Sequence, residues 1–141
     1  MGGKDDRNFF RVDAFAPVFA RVVLKEEMDS LTCELLPDME AYNVMLTTDV
    51  KRVNISGAGM YFESDISFRL GDIIRVALVF KDIYEGIVVL YGKVIRSGRE
   101  RGHFGIAMDF MNIDQAVIDV ITRFVLQRER ELIAEKRVGW L

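Results

Sequence analysis

One cysteine, one histidine, one tryptophan and two prolines are all that 141 residues hold of these types. The lone Cys33 forms no internal disulfide, so covalent staples are excluded, and this cysteine usage suits a reducing compartment. With His103 the only histidine and no Cys/His cluster, neither a zinc site nor a Cys–His nucleophile is indicated. Long apolar runs are missing as well. The two longest, Val18–Leu24 (broken by Arg21) and Ile87–Tyr91, fall far short of the roughly 20 residues that cross a bilayer. The opening residues Gly2, Gly3, Lys4, Asp5 and Asp6 lack the apolar stretch of a signal peptide. Nor is there a basic surplus. A net charge of −3 argues against a grip on long nucleic acid, though it leaves room for a local basic pocket that takes a small anion. The protein is therefore read as cytoplasmic, with no membrane span and no long nucleic-acid partner.

Half of the residues are apolar and 11% are aromatic, which speaks against disorder and for one domain with its own core. No internal repeat or low-complexity tract interrupts it. From Pro17 onward, short apolar runs alternate with turn residues, the signature of strands. The candidates are Val18–Leu24, Met60–Glu63, Ile73–Phe80, Ile87–Arg96 and 103–110. In the last, Phe104, Ile106, Met108 and Phe110 alternate with His103, Gly105, Ala107 and Asp109. Gly92 in the middle of a strand marks a bulge or a close approach. Many short strands divided by glycine-bearing turns predict a small barrel, whose closure removes exposed edges.

The end of the chain changes period. Ile113, Val117, Val120, Ile121, Phe124 and Val125 recur at helical spacing, and Asn112 with Gln115 resembles a capping box. A helix from there to about Lys136 is longer than one small barrel covers. Its polar stretch Gln127–Glu131 either overhangs into solvent or packs on another subunit, which makes a homo-oligomer through the C-terminal helix one option. Residues 25–50 are acidic and broken by Pro37, and they fit either a helical excursion or a long hairpin.

Two segments carry chemistry. Arg7-Asn8-Phe9-Phe10-Arg11 places two arginines four apart, and Asn54-Ile55-Ser56-Gly57-Ala58-Gly59 is a polar, glycine-rich turn before an apolar strand. In this order and setting they resemble the paired signature of the PilZ family, RxxxR followed several tens of residues later by [D/N]xSxxG. Gly71-Asp72, Val94-Ile95-Arg96 and Phe104-Gly105-Ile106 resemble further landmarks of that family. The resemblance implies a mainly β fold, a six-stranded antiparallel barrel over residues 7–111. Residues 1–6 read as a flexible lead-in, and the resemblance implies a C-terminal helix and tail over 112–141 packed on the barrel. It implies a receptor for the bacterial second messenger cyclic di-GMP, with Arg7, Arg11, Asn54, Ser56 and Gly59 as the ligand-binding residues. It implies no cofactor or metal, and an unknown effector protein as partner, with motility, exopolysaccharide or virulence as outputs.

The chemistry of these residues suits that ligand. Arginine presents a planar fork of donors that matches phosphate oxygens and the O6/N7 edge of guanine. Asn54 and Ser56 offer short polar groups in a turn, and Gly57 and Gly59 permit positive φ or a close backbone approach to an anion. Arg96 and Arg99 stand as candidates for extra charge nearby. An acid at Asp6, beside Arg7, lowers the local positive potential and leaves open whether one nucleotide or a stacked pair binds. The rival reading is a non-nucleotide-binding PilZ-like interaction adaptor, as in type IV pilus assembly. An enzyme is disfavoured, because no nucleophile with a partner base is apparent.

Overall fold

A computed structural model describes residues 12–139, with side chains to Arg137; Arg7 and Arg11 lie outside the described residues. The first strand, β1 (Val12–Val22), starts earlier than its apolar run suggests. Pro17 does not open the strand but sits where it changes partner. Val12–Pro17 pair antiparallel with β3 (Val50–Ile55), and Val18–Val22 pair with β5 (Ile73–Leu78). A residue without an N–H is tolerated at such a junction.

β4 (Gly59–Ser64) pairs with β3 and with β7 (His103–Phe110), and β6 (Ile87–Glu100) pairs with β5 and β7. The ring β6–β5–β1–β3–β4–β7 thus closes on itself through the β6–β7 pair, giving the expected six-stranded antiparallel barrel with a C-terminal helix. A short seventh strand, β2 (Glu34–Leu36), joins the start of β6 at Ile87–Val89. Inward-facing Val53, Ile55, Phe62, Ile74, Val76, Leu90, Ile106 and Met108 fill the interior and are almost wholly buried. At about 25 cal/mol per Å², burial of such side chains is the main favourable term of the fold.

β6 runs four residues past its expected end at Arg96. Gly92 lies against the carbonyl of Asp109, which is the close approach, and the bulge comes later, between Val94 and Arg96.

Residues 25–50 turn out to be neither one helix nor a hairpin. They hold a 3-10 turn (Lys25–Glu27), β2, and a seven-residue helix, α1 (Met39–Met45), capped by Asp38. The segment is tied to the barrel from within. Cys33 donates its backbone N–H to the Asn112 carbonyl at 3.1 Å, and its thiol accepts from the Tyr91 N–H at 3.2 Å.

The C-terminal helix, α2 (Gln115–Gly139), starts two residues later than the Asn112 capping box predicts. Asp114 is the cap, accepting from the Val117 N–H at 3.1 Å. Asn112 instead adopts a φ of +52° and donates its side-chain amide to the Leu31 carbonyl. Val117, Val120, Ile121 and Val125 seat α2 on the barrel, and Phe124 stacks on the buried Phe80 with ring centroids 4.1 Å apart. Past Val125 no described residue of the helix is fully buried, and Ile133 is 48% exposed. Its 25 residues span about 37 Å. No helix among the described residues is long and apolar enough to cross a membrane.

Candidate functional site

β3 alternates Val53 and Ile55 inward with Arg52 and Asn54 outward. The ladders place their outward neighbours in two rows across the barrel. One row runs Asp13, Asn54, Tyr61, Ala107, Arg96, and the next runs Phe15, Arg52, Glu63, Gly105, Gly98. Val12, which follows Arg11 in the chain, pairs with Ile55, which follows Asn54. The strand that leads out of the arginine motif therefore begins at the mouth of the Asn54–Gly59 turn.

Within that turn the three motif residues have different surroundings. Asn54 is half-buried on the outer face and donates its amide to Asp13 Oδ1 at 3.0 Å. Ser56 is buried. Its hydroxyl accepts from the Ala58 N–H at 3.2 Å and donates to the Gly59 carbonyl at 3.4 Å, so here it shapes the turn. Gly59 faces the next strand, where a Cβ would stand 2.5 Å from the Met108 carbonyl oxygen. Among the described residues the glycines with positive φ are Gly71 and Gly102, so close approach and not an unusual backbone is what position 59 demands.

The outer face beside Asn54 carries a connected polar group that the sequence did not single out. Arg52 donates through Nε to Glu63 Oε2 at 3.1 Å, and its Nη1 lies 3.6 Å from Asp13 Oδ1. Its guanidinium sits over the Tyr61 ring, 5.2 Å from the centroid. The Tyr61 hydroxyl donates to Glu100 Oε1, and the His103 ring lies 3.3 Å from Glu63 and 3.5 Å from Glu100. The bond to Glu63 holds the Arg52 pKa above its ordinary value. Partial burial, together with the acceptor Glu100, pushes the Tyr61 phenol up to about 12, and the same bond draws Glu100 below the usual carboxylate range. The signal available in the sequence was parity alone, since Arg52 and Asn54 share one face of a strand.

Arg96 stands at the far end of the Asn54 row, while Arg99 lies over the Phe104 ring, 5.9 Å from its centroid, toward the hairpin tip. The helix also reaches this region. Arg128 Nε donates to the Asp13 carbonyl at 3.3 Å and pairs with Glu131 and Glu135. Two grooves of about 490 Å³ each flank this face or lie beyond it. One runs between α2 and the β1–β3 end, and the other lies between α1 and β5; neither is lined by Asn54, Ser56 or Gly59. Among the described residues the candidate site is an open face of strands, not a cavity. Those residues hold no cluster of three or more metal-ligating side chains.

No curated protein matches the sequence significantly. Among solved structures, the fold is similar to that of a pathogenic protein from Xanthomonas campestris, described as a tetrameric PilZ domain self-assembled via a helical bundle. The TM-score is 0.63 over 94% of this chain and 97% of that one, at 15% identity, a likeness of fold. The family model for the PilZ domain matches residues 5–127, a span that takes in both arginines, the Asn54–Gly59 turn, every strand of the barrel and the helix as far as it seats on it. This chain belongs to the PilZ domain family.

Proposed function

We propose that the protein is a cytoplasmic receptor for cyclic di-GMP that regulates an effector protein in bacterial signalling. The observation that carries this reading is the register of β1. Pairing Val12 with Ile55 sets the chain entry from Arg11 beside the outward-facing Asn54 and the turn that ends at Gly59. On this reading a ligand carrying two guanines and two phosphates engages both halves of the signature together. Arg7 and Arg11 supply forked, charged donors for phosphate and guanine edges. Asn54 supplies a short amide, while Ser56 and Gly59 fix the turn that presents it.

The proposed mechanism is a switch and not catalysis. Binding draws the segment bearing Arg7 and Arg11 onto the barrel, and the new surface is read by the effector. The lone cysteine is not set up as a nucleophile. The Cys33 thiol is buried, its pKa is pushed up by that burial, and its neighbours are backbone groups. No cofactor enters the scheme.

α2 is proposed to join copies of the chain. Residues 128–139 extend beyond the family match and expose Ile133, and the similar Xanthomonas protein is described as assembling through a helical bundle.

Calorimetric titration of the full chain with cyclic di-GMP tests the receptor reading, with GTP and cyclic AMP as controls. Binding at micromolar concentration or tighter, lost in the Arg7→Ala/Arg11→Ala double variant, is the expected result. Each charge-assisted bond contributes about 1.5–3 kcal/mol, so the double variant weakens binding by at least about a hundredfold. A folded, nucleotide-free sample that gives no heat would move the protein to the adaptor class.

A further inference from the structure

The signature leaves Arg52 without a role, yet Arg52 is the arginine of the described barrel that stands on the same strand face as Asn54, two residues away. We propose that Arg52 is a further ligand-binding residue that takes a phosphate oxygen of the dinucleotide, and that the Asp13 carboxylate occupies this position in the ligand-free protein. This step rests on the receptor reading above.

Three observations carry it. The guanidinium is held in place before any ligand arrives, by a direct bond to Glu63 and by the Tyr61 ring beneath it. An arginine fixed in this way loses little freedom on binding. Its Nη1 edge is the weakly held one. Asp13 Oδ1 lies 3.6 Å away, close enough for attraction between charges but too far for a hydrogen bond. The same oxygen accepts from the Asn54 amide at 3.0 Å. One anionic oxygen therefore stands between the motif amide and a fixed guanidinium, in the position a phosphodiester oxygen would take on a ligand held by Asn54. The Asp13 side chain is 61% exposed, so it can turn into water when displaced.

The exchange needs no rearrangement of the barrel, because Asp13 is the second residue of β1 and its side chain lies on the outer face. Glu63 stays on Nε throughout, which keeps the fork aimed. Asp13 is thus a competitor for the ligand, and its removal raises affinity where removal of Arg52 lowers it. A purely structural ion pair gives the same sign for both.

Calorimetric titration of the full chain with cyclic di-GMP separates the two cases. The variants are Arg52→Ala, Arg52→Lys and Asp13→Asn, each checked by thermal melting. Arg52→Ala is expected to bind about ten- to a hundredfold more weakly. Arg52→Lys, which keeps the charge but not the fork, falls between it and the parent chain. Asp13→Asn is expected to bind about two- to fivefold more tightly, the scale of one exposed ion pair. Parent binding that is unchanged in both Arg52 variants overturns the inference and leaves the receptor reading standing. Weaker binding in Asp13→Asn, which keeps Arg52 and the fold, overturns it as well. No heat from the parent chain removes the receptor reading, and this inference with it.

Discussion

Replacing Gly59 with alanine separates what the motif does for the barrel from what it does for a ligand. An added methyl group would sit 2.5 Å from the Met108 carbonyl oxygen and 3.5 Å from the Asp109 Cα, both parts of a neighbouring strand and not the ends of flexible side chains. Relief requires β4 to move away from β7 where Gly59 opposes Asp109, the first of six paired positions that join these strands. Forcing a methyl group into a closed contact of this kind costs about 1–3 kcal/mol. With a urea dependence of about 1–3 kcal/mol per molar for a small domain, the midpoint of unfolding falls by about 1 M. The assay is equilibrium urea unfolding of the ligand-free protein followed by far-UV circular dichroism. A midpoint within 0.2 M (roughly the precision expected of such curves) of the parent protein would refute the argument, and would return Gly59 to a role in ligand contact alone.

Two further outcomes follow from the same structure. Glu27 receives both Arg21 Nη atoms, at 2.7 and 2.9 Å, together with the Leu24 N–H, and these bonds draw its carboxyl down to about 2. A depressed carboxylate contributes stability above its ordinary pKa and loses it as the pH falls toward the folded value. Thermal melts of Glu27→Gln should therefore be lower than the parent's at neutral pH and converge with it as the pH drops from about 5 to about 2; parallel curves across that window would contradict this. Ile133→Glu should convert an assembly through α2 into monomers by sedimentation, with the barrel's melting temperature unchanged, and an unaltered assembly would exclude this face of the helix.

The barrel was legible where strands alternate in sequence, as Phe104, Ile106, Met108 and Phe110 do in 103–110, and where a strand buried on both faces, Ile87–Gly92, reads as a continuous apolar run. The end of β1 nearest the signature was harder to see, since Pro17 reads as a boundary when it is a junction between two ladders. The start of α2 was misplaced for a related reason. Asn112 and Asp114 are both capping residue types, and the choice between them is made by the Leu31 carbonyl, a contact from a distant segment. Residues 25–50 were opaque because a three-residue strand and a seven-residue helix have too little period of their own, and Cys33, Leu31 and Tyr42 fix them by burial against the barrel. In the candidate site, the motif residues could be named from the sequence, but their company could not. Arg52 meets Glu63, and Tyr61 meets Glu100, only through a register that passes a bulge between Val94 and Arg96.

That company sets a constraint on any anionic ligand of this face. Asp13, Glu63 and Glu100 stand there with Arg52 and Arg96, and His103 lies between two of the acids. A phosphodiester approaching the barrel thus meets no surplus of positive charge from the strands. Under the receptor reading, its attraction comes from Arg7 and Arg11, and from Arg52 once Asp13 turns aside. Such a face discriminates by arrangement more than by field: an anion that cannot engage both the forked donors and the Asn54 amide gains too little to displace Asp13. Under the receptor reading, then, the acids of the outer face are part of the recognition. On that reading they make occupancy depend on the whole pattern of guanine and phosphate, and on Arg7 and Arg11 together with the Asn54 turn.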